Sequence, residues 1–330
     1  MFTEQVARRW QVIDPLLPGP PPSPPGCDAV LTVTAADGQP AATATCEHWV
    51  GDAESLDLSW GAARRFQLAP QIAGPDVAGA LDGLLSQWRD HLAGVPGTDD
   101  DDTAALVTWP SRDIQGIRTL LRHGLTPMEL IAARPAGRQP AGPAGAPTRR
   151  AEGLPVSASP DTGPAQPGWR IRRAGPADID AVARLGVEVI RFDAHFGGVT
   201  ERPGTAAAMR REAAGLLAGP EPWTWLAERD GTAIGMLAAQ RPEAADWIAP
   251  MVGSTPAAYL MLMYVLPGER AGGVGRALTA RLHREVETAG VAVTLLHYEQ
   301  SNPLSVPFWS QEGYRPLWTT WAARPARTLR

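Results

Sequence analysis

The stretch Leu260–Leu278 reads LMLMYVLPGERAGGVGRAL. Its apolar run closes at Val265 and Pro267, and past the glycines Leu278, Leu282 and Val286 recur at helical spacing over Arg276–Glu287. The pattern predicts a strand, a glycine-rich turn and a helix in direct succession. Backbone N–H groups in such a turn point outward together, and with the positive end of the helix they make a place for phosphate oxygens. Gly272, Gly273 and Gly275 let the main chain come close, while Arg270 and Arg276 add guanidiniums able to meet a pyrophosphate or a ribose phosphate.

Three phosphate-binding readings compete, beside the plain one of an ordinary strand-to-helix turn. A Walker loop requires Gly-Lys-Ser/Thr at the helix start, which is absent. A dinucleotide fingerprint requires a third glycine where Leu278 stands, and Glu285 and Glu287 come too early for its ribose-binding acid. The third reading fits: Val265-Leu-Pro267-Gly-Glu-Arg270-Ala-Gly-Gly273-Val-Gly275 resembles the pyrophosphate loop of the GCN5-related N-acetyltransferases (GNAT), Val-x-Pro followed by Arg/Gln-x-x-Gly-x-Gly/Ala. Strand, proline, arginine and glycine loop in that order are far more specific than the glycines alone.

The resemblance implies acetyl-CoA as acyl donor. It places Arg270, Ala271, Gly272, Gly273, Val274, Gly275 and Arg276 around the diphosphate. It also assigns the backbone of Met263, Tyr264 and Val265, at a splayed strand end, to the pantetheine arm and the acetyl carbonyl.

A chain of 330 residues is long for a single core, so two domains are expected. A hydrophobic content of 44% suits a globular protein, and a net charge of -5 with no basic patch argues against general nucleic-acid binding. All 30 basic residues are arginine, a coding bias without functional message. Cys27 and Cys46 are too few and too poorly spaced for a disulfide framework or a metal site. The N-terminus lacks a continuous apolar core and no segment has membrane-spanning length, so a cytoplasmic protein is expected, with its Pro18–Pro25 cluster an extended connector.

In chain order, Ala29–Val50 reads as a hairpin turning at Asp37-Gly38, Ser55–Leu68 as a strand, and Pro75-Asp76 as the start of an amphipathic helix carrying Val77, Leu81, Leu84, Leu85, Trp88 and Leu92 on one face. The acidic run Asp99–Asp102 predicts a solvated loop, since neighbouring carboxylates rarely converge on a metal. Ala104–Trp109 reads as a strand, Ile114–His123 as a helix and Met128–Ala133 as a strand.

An internal repeat then emerges. WPSRDIQGIRTLLRHGLTPMELIAARP from Trp109 lies beside EQSNPLSVPFWSQEGYRPLWTTWAARP from Glu299, with 313 − 124 = 189 separating Gly124 from Gly313 and the same offset for Pro127 and Pro316; the closing Ala-Ala-Arg-Pro needs one extra residue. With the resemblance, this implies an α+β protein of two tandem GNAT-like domains, each a mixed, mostly antiparallel sheet flanked by helices in three layers. Residues 1–134 form a degenerate copy, because QLAPQIAGP precedes its helix where the glycine loop belongs. Residues 135–168, rich in Pro, Ala and Gly, form a flexible linker, and 169–330 the acetyltransferase copy.

That second copy opens with Trp169-Arg-Ile-Arg-Arg and a helix over Ile179–Ile190, interrupted at Arg191–Arg202. In the family this region covers the acceptor, so Asp193, His195 and Phe196 are candidate contacts; a mobile surface loop is the plain alternative. Trp223–Glu228 and Thr232–Gln240 read as a hairpin.

After the Val291–Tyr298 strand, Asn302-Pro-Leu-Ser305-Val-Pro-Phe308-Trp309-Ser-Gln-Glu-Gly313-Tyr314 resembles the family's Asn-x-x-Ala-x-x-Phe-Tyr-x-x-x-Gly-Phe motif. Asn302 and Ser305 would then face the coenzyme, and Gly313 would end a helix in the left-handed conformation. Trp309 replaces the tyrosine that many members use as general acid, and an indole N–H is no acid near neutrality.

His297 stands where some members carry a glutamate base, five residues before the Asn, and an imidazole suits proton removal from an ammonium. Glu299 and Tyr298 are weaker substitutes, and a structural histidine is the plain alternative. The function implied is N-acetylation of an amine-bearing acceptor, a small molecule or a protein N-terminus, without nucleic acid or membrane. A mycothiol synthase-like acyltransferase and a non-catalytic acyl-CoA sensor or scaffold are the alternatives.

Overall fold

The computed structural model describes residues 2–20, 27–138 and 168–330. Most of the expected linker, and most of the proline cluster, lie outside the described residues. The chain opens with a helix that the sequence analysis did not identify, α1 (Phe2–Ile13), whose buried face is Val6 and Trp10. Their four-residue spacing within a charged stretch is the signal for it.

β1 (Ala29–Thr34) and β2 (Pro40–Val50) form the expected hairpin, with Gly38 left-handed at φ 80. The expected strand over Ser55–Leu68 begins only at Arg64. The Ser55 hydroxyl instead accepts from the Asp57 N–H and caps a short 3-10 turn, so β3 spans Arg64–Ile72.

Next come α2 (Val77–Leu92), β4 (Thr103–Pro110), α3 (Ile117–Arg122), shorter than predicted, and β5 (Thr126–Pro135). Asp102, in the acidic run, is no freely solvated residue: it pairs with Arg202 at 2.8 Å and Arg324 at 3.4 Å, both from the C-terminal half.

The C-terminal half contains β6 (Arg170–Arg173), α4 (Ile179–Asp193), α5 (Thr205–Leu216), β7 (Thr224–Arg229), β8 (Thr232–Gln240), β9 (Ala257–Val265), α6 (Val274–Thr288), β10 (Val293–Glu299), α7 (Ser305–Gln311) and β11 (Arg315–Ala323). Of these, α5 went unread in the sequence.

All eleven strands join one sheet in the order β1-β2-β3-β4-β11-β5-β10-β9-β8-β7-β6. The fold is α+β and mostly antiparallel. The two parallel pairs, β3–β4 and β9–β10, are each connected through a helix, α2 and α6, at matching places in the two halves. The repeat read from the sequence thus has a structural counterpart: Gly124 and Gly313 are left-handed at φ 81 and φ 90, and the strands that follow them, β5 and β11, pair with each other antiparallel. The extra residue of the second copy coincides with a register shift between Pro316 and Trp318.

The halves exchange these final strands. β11 adds Trp321 and Ala323 to the core built on Phe66, Leu84 and Trp88, while β5 adds Leu130 and Ala132 to the core built on Trp225, Leu278 and Leu296. In the C-terminal half α6 covers one face of the sheet through Leu278, Leu282 and Val286, and α4 and α5 cover the other through Val182, Leu185 and Met209. No helix among the described residues is long and apolar enough to cross a membrane.

Candidate functional site

A cavity of about 1010 Å³ lies where β9 and β10 part. Their parallel ladder runs from Ala257 and Val293 to Leu260 and Leu296, whereas β9 continues to Val265 and β10 to Glu299. A register shift on the β8 side, where Ala238 and Ala239 face Leu262 and Leu260, leaves Met261 as an extra residue and bends β9. Met263, Tyr264 and Val265 line the cavity along this diverging segment.

Beyond it Pro267–Glu269 makes a 3-10 turn, Ala271 takes φ 62, and Gly273 takes φ 82 immediately before α6. No side chain among the described residues caps α6, so its first N–H groups face the loop unopposed. At Gly275 an added Cβ would come into ordinary contact with the Phe308 ring at 3.4 Å, so the two residues form one wall of the cavity.

The equivalent helix of the first half differs in the feature that matters. The Asp76 carboxylate accepts from the Gly79 N–H at 2.9 Å and occupies the start of α2, where it would repel a phosphate.

Of the thirteen site residues predicted, all but Gly272 line this cavity. The arginines are less free than their sequence positions suggested. Arg270 donates from Nε to the Val265 carbonyl at 3.0 Å and lies over the rings of Phe192 and Tyr264, while Arg276 reaches Glu312 and Gln311 at 3.4 Å. Asn302 uses its carbonyl oxygen to accept from the N–H groups of Leu304 and Ser305, ordering the entry to α7, and donates its amide to Asp193 at 3.0 Å. Trp309 is buried against Phe308 and Tyr314.

His297 is the first residue of β10 past its ladder with β9. Its Nδ1 lies 3.0 Å from the Tyr259 hydroxyl, and its ring stacks on Trp247. Burial pushes the Tyr259 phenol far up, so it remains neutral. Strand alternation carries Glu299 to the same face. Burial, then repulsion from Glu129 and Asp193, pushes the Glu299 carboxyl up to about 8, against an opposing pull from Arg324.

Asp193 is raised to about 6 by burial, against the hydrogen bond from Asn302 and with repulsion from Glu129. It is the one proposed acceptor contact that lines the cavity. His195 bonds back to the Arg191 and Phe192 carbonyls, and Phe196 packs on Phe192.

Sequence reasoning missed Glu129, Tyr259 and Trp247, which complete this end of the cavity with Asp57, Trp60 and Arg65 from the first half. Only Glu129 left a signal, an acid within an otherwise apolar strand.

Residues 193–314 match the family model described as Acetyltransferase (GNAT) family. A GCN5-related N-acetyltransferase from Sphaerobacter thermophilus shares the fold at 15% identity and a TM-score of 0.54, with 90% of this chain and 80% of that one covered. One from Kribbella flavida aligns at 13% identity and a TM-score of 0.43 over 98% and 94% of the two chains. A tandem GNAT protein from the clavulanic acid biosynthesis pathway aligns at 13% and 0.40 over 98% and 95%. No curated protein matches the chain.

Proposed function

Because residues 193–314 match the Acetyltransferase (GNAT) family model, we propose that this chain is a GCN5-related N-acetyltransferase and moves an acetyl group from acetyl-CoA to an amine by direct attack of the neutral amine on the thioester. One observation carries this: the parting of β9 from β10 and the uncapped start of α6 open into the same cavity as His297 and Glu299.

Acetyl-CoA, when bound, supplies an activated acyl carbon on a good leaving group. The segment Met263–Val265, which keeps its pairing with β8 but has parted from β10, would hold its pantetheine arm and polarise the carbonyl. Residues 270–276 would take the diphosphate, Arg276 with its exposed guanidinium, while Arg270 ties the loop to the end of β9. Asn302 shapes the turn that presents Ser305.

His297 is the base. Its Nδ1 lies 3.0 Å from the Tyr259 hydroxyl, and in the tautomer whose Nδ1–H donates to that oxygen, Nε2 offers its lone pair to the amine or to a bridging water. The nitrogen gives up its proton there as the amide bond forms and the C–S bond breaks. The leaving thiolate needs no protein acid, since a thiol ionises not far above neutrality. A covalent enzyme intermediate is disfavoured: neither cysteine lines the cavity, and the buried Cys46 thiol is pushed up to about 11 by burial, then by Asp28 and Cys27.

We read residues 1–134 as the degenerate copy, 169–330 as the active one and the cytoplasm as the compartment. The test is thiol release from acetyl-CoA across an amine panel, with His297→Ala and Gly273→Glu as controls. Turnover sharply reduced in both supports the enzyme, whereas coenzyme binding without turnover on any amine removes it.

A further inference from the structure

Glu129, Asp193 and Glu299 converge on one end of the cavity, and none of them has an ion-pair partner among the described residues. The nearby cations are committed elsewhere. Arg65 donates to the Ala62 and Asp57 carbonyls and lies over Trp49, and Arg324 donates to the Gly197 and Gly198 carbonyls. Glu299 is only 5% exposed, and its Oε2 has no hydrogen-bond partner. Buried without a paired cation, Glu299 keeps its proton near neutrality, and a ligand that brings a positive charge beside the half-buried Glu129 and Asp193 would let it ionise.

The reacting amine cannot be that charge, because it must be neutral to attack. A carboxylate cluster gripping the reacting nitrogen would hold it as an inert ammonium. The cation has to sit on a second nitrogen that stays protonated throughout.

We infer that the acceptor is a di- or polyamine: one nitrogen is acetylated beside His297, while a second, as ammonium, is held by Glu129, Asp193 and Glu299. This rests on the acetyltransferase reading above. It gives the first half a direct part in acceptor choice, since Glu129 comes from β5. The apolar walls of Trp247 and Tyr259 suit the methylene chain between the two nitrogens.

The experiment compares 1,4-diaminobutane, 1,6-diaminohexane and 1,8-diaminooctane with hexylamine, using the full chain and saturating acetyl-CoA. At least one diamine is expected to exceed hexylamine in kcat/KM by roughly tenfold or more. Glu129→Gln should raise KM for that diamine about tenfold more than for hexylamine, with kcat little changed, and Glu129→Asp should restore part of the preference.

Equal turnover of diamines and hexylamine, or an equal loss for both in Glu129→Gln, overturns the inference and leaves the acetyltransferase reading intact. Thermal shift with the same diamines in the presence of coenzyme A gives a readout independent of turnover. Stabilisation by the diamine but not by hexylamine, with no acetylation of either, retains the dication site and removes the acetyltransferase reading. Neither stabilisation nor turnover by any diamine removes the site.

Discussion

Glu129 and Glu299 stand directly opposite one another on the antiparallel pair β5–β10, one from each half of the chain. Like charges at such a position destabilise a sheet, and the burial of Glu299 compounds the effect. Its carboxyl is raised above its ordinary value of 4.5 to about 8 by burial, then by Glu129 and Asp193, with Arg324 opposing. Between those two values the unfolded chain has released this proton and the folded chain retains it, so the folded state binds more protons and stability falls as pH rises. Below 4.5 both states are protonated and the effect vanishes; above 8 it is complete. Glu299→Gln should therefore gain stability over the parent at pH 9 by on the order of a few kcal/mol, and almost nothing at pH 4. Thermal melts at the two pH values decide it, and an equal difference at both would contradict the burial argument.

The glycines of the loop separate conformational from steric demand. At Gly273, with φ 82, an added Cβ meets nothing within 4 Å, so Gly273→Ala suffers only from the left-handed backbone, about 1 kcal/mol. Gly275 has helical geometry, and its Cβ would stop at ordinary contact with Phe308, so Gly275→Ala should melt close to the parent. Both should weaken coenzyme A binding in calorimetric titration, the first by disordering the turn and the second by narrowing the wall. Unaltered affinity in both variants would mean that this loop does not grip the coenzyme.

Much of this was legible because it is local. Leu278, Leu282 and Val286 announce α6 by spacing, Asp37-Gly38 and Asp230-Gly231 mark hairpins, and the loop glycines precede a helix. What escaped is relational. No periodicity says that β11 inserts between β4 and β5, so a repeat that reads as two tandem domains becomes one sheet with exchanged strands. Glu129 looks like an isolated acid in a strand until pairing sets it against Glu299.

His297 and Tyr259 make a separable pair. Removing the imidazole should lower kcat/KM by about 10²-fold or more, as expected for a general base. Tyr259→Phe leaves the ring without its 3.0 Å partner and should lower kcat about tenfold. Coenzyme A affinity should hold in both, because neither side chain belongs to the glycine loop. A His297→Ala enzyme at parental rate would move the role of base to Glu299, the other group on that face.

Strand exchange also predicts how the two halves behave apart. A chain of residues 1–138 keeps β1 to β5 but loses Trp321, Ala323, Ala326 and Leu329 from the core around Trp88, leaving β4 without its neighbour β11. Burial of side chains such as these contributes about 1.5–3 kcal/mol each for the larger ones, comparable in sum with the net stability of a small domain. Residues 168–330 alone likewise lose β5, which lies between β10 and β11 and supplies Leu130 and Ala132. Each half alone should be unfolded or aggregated, whereas the two produced together should associate through β4–β11, β11–β5 and β5–β10 and recover a cooperative melt. A dispersed amide spectrum and a sharp transition from 1–138 by itself would show that the first copy folds without its borrowed strand.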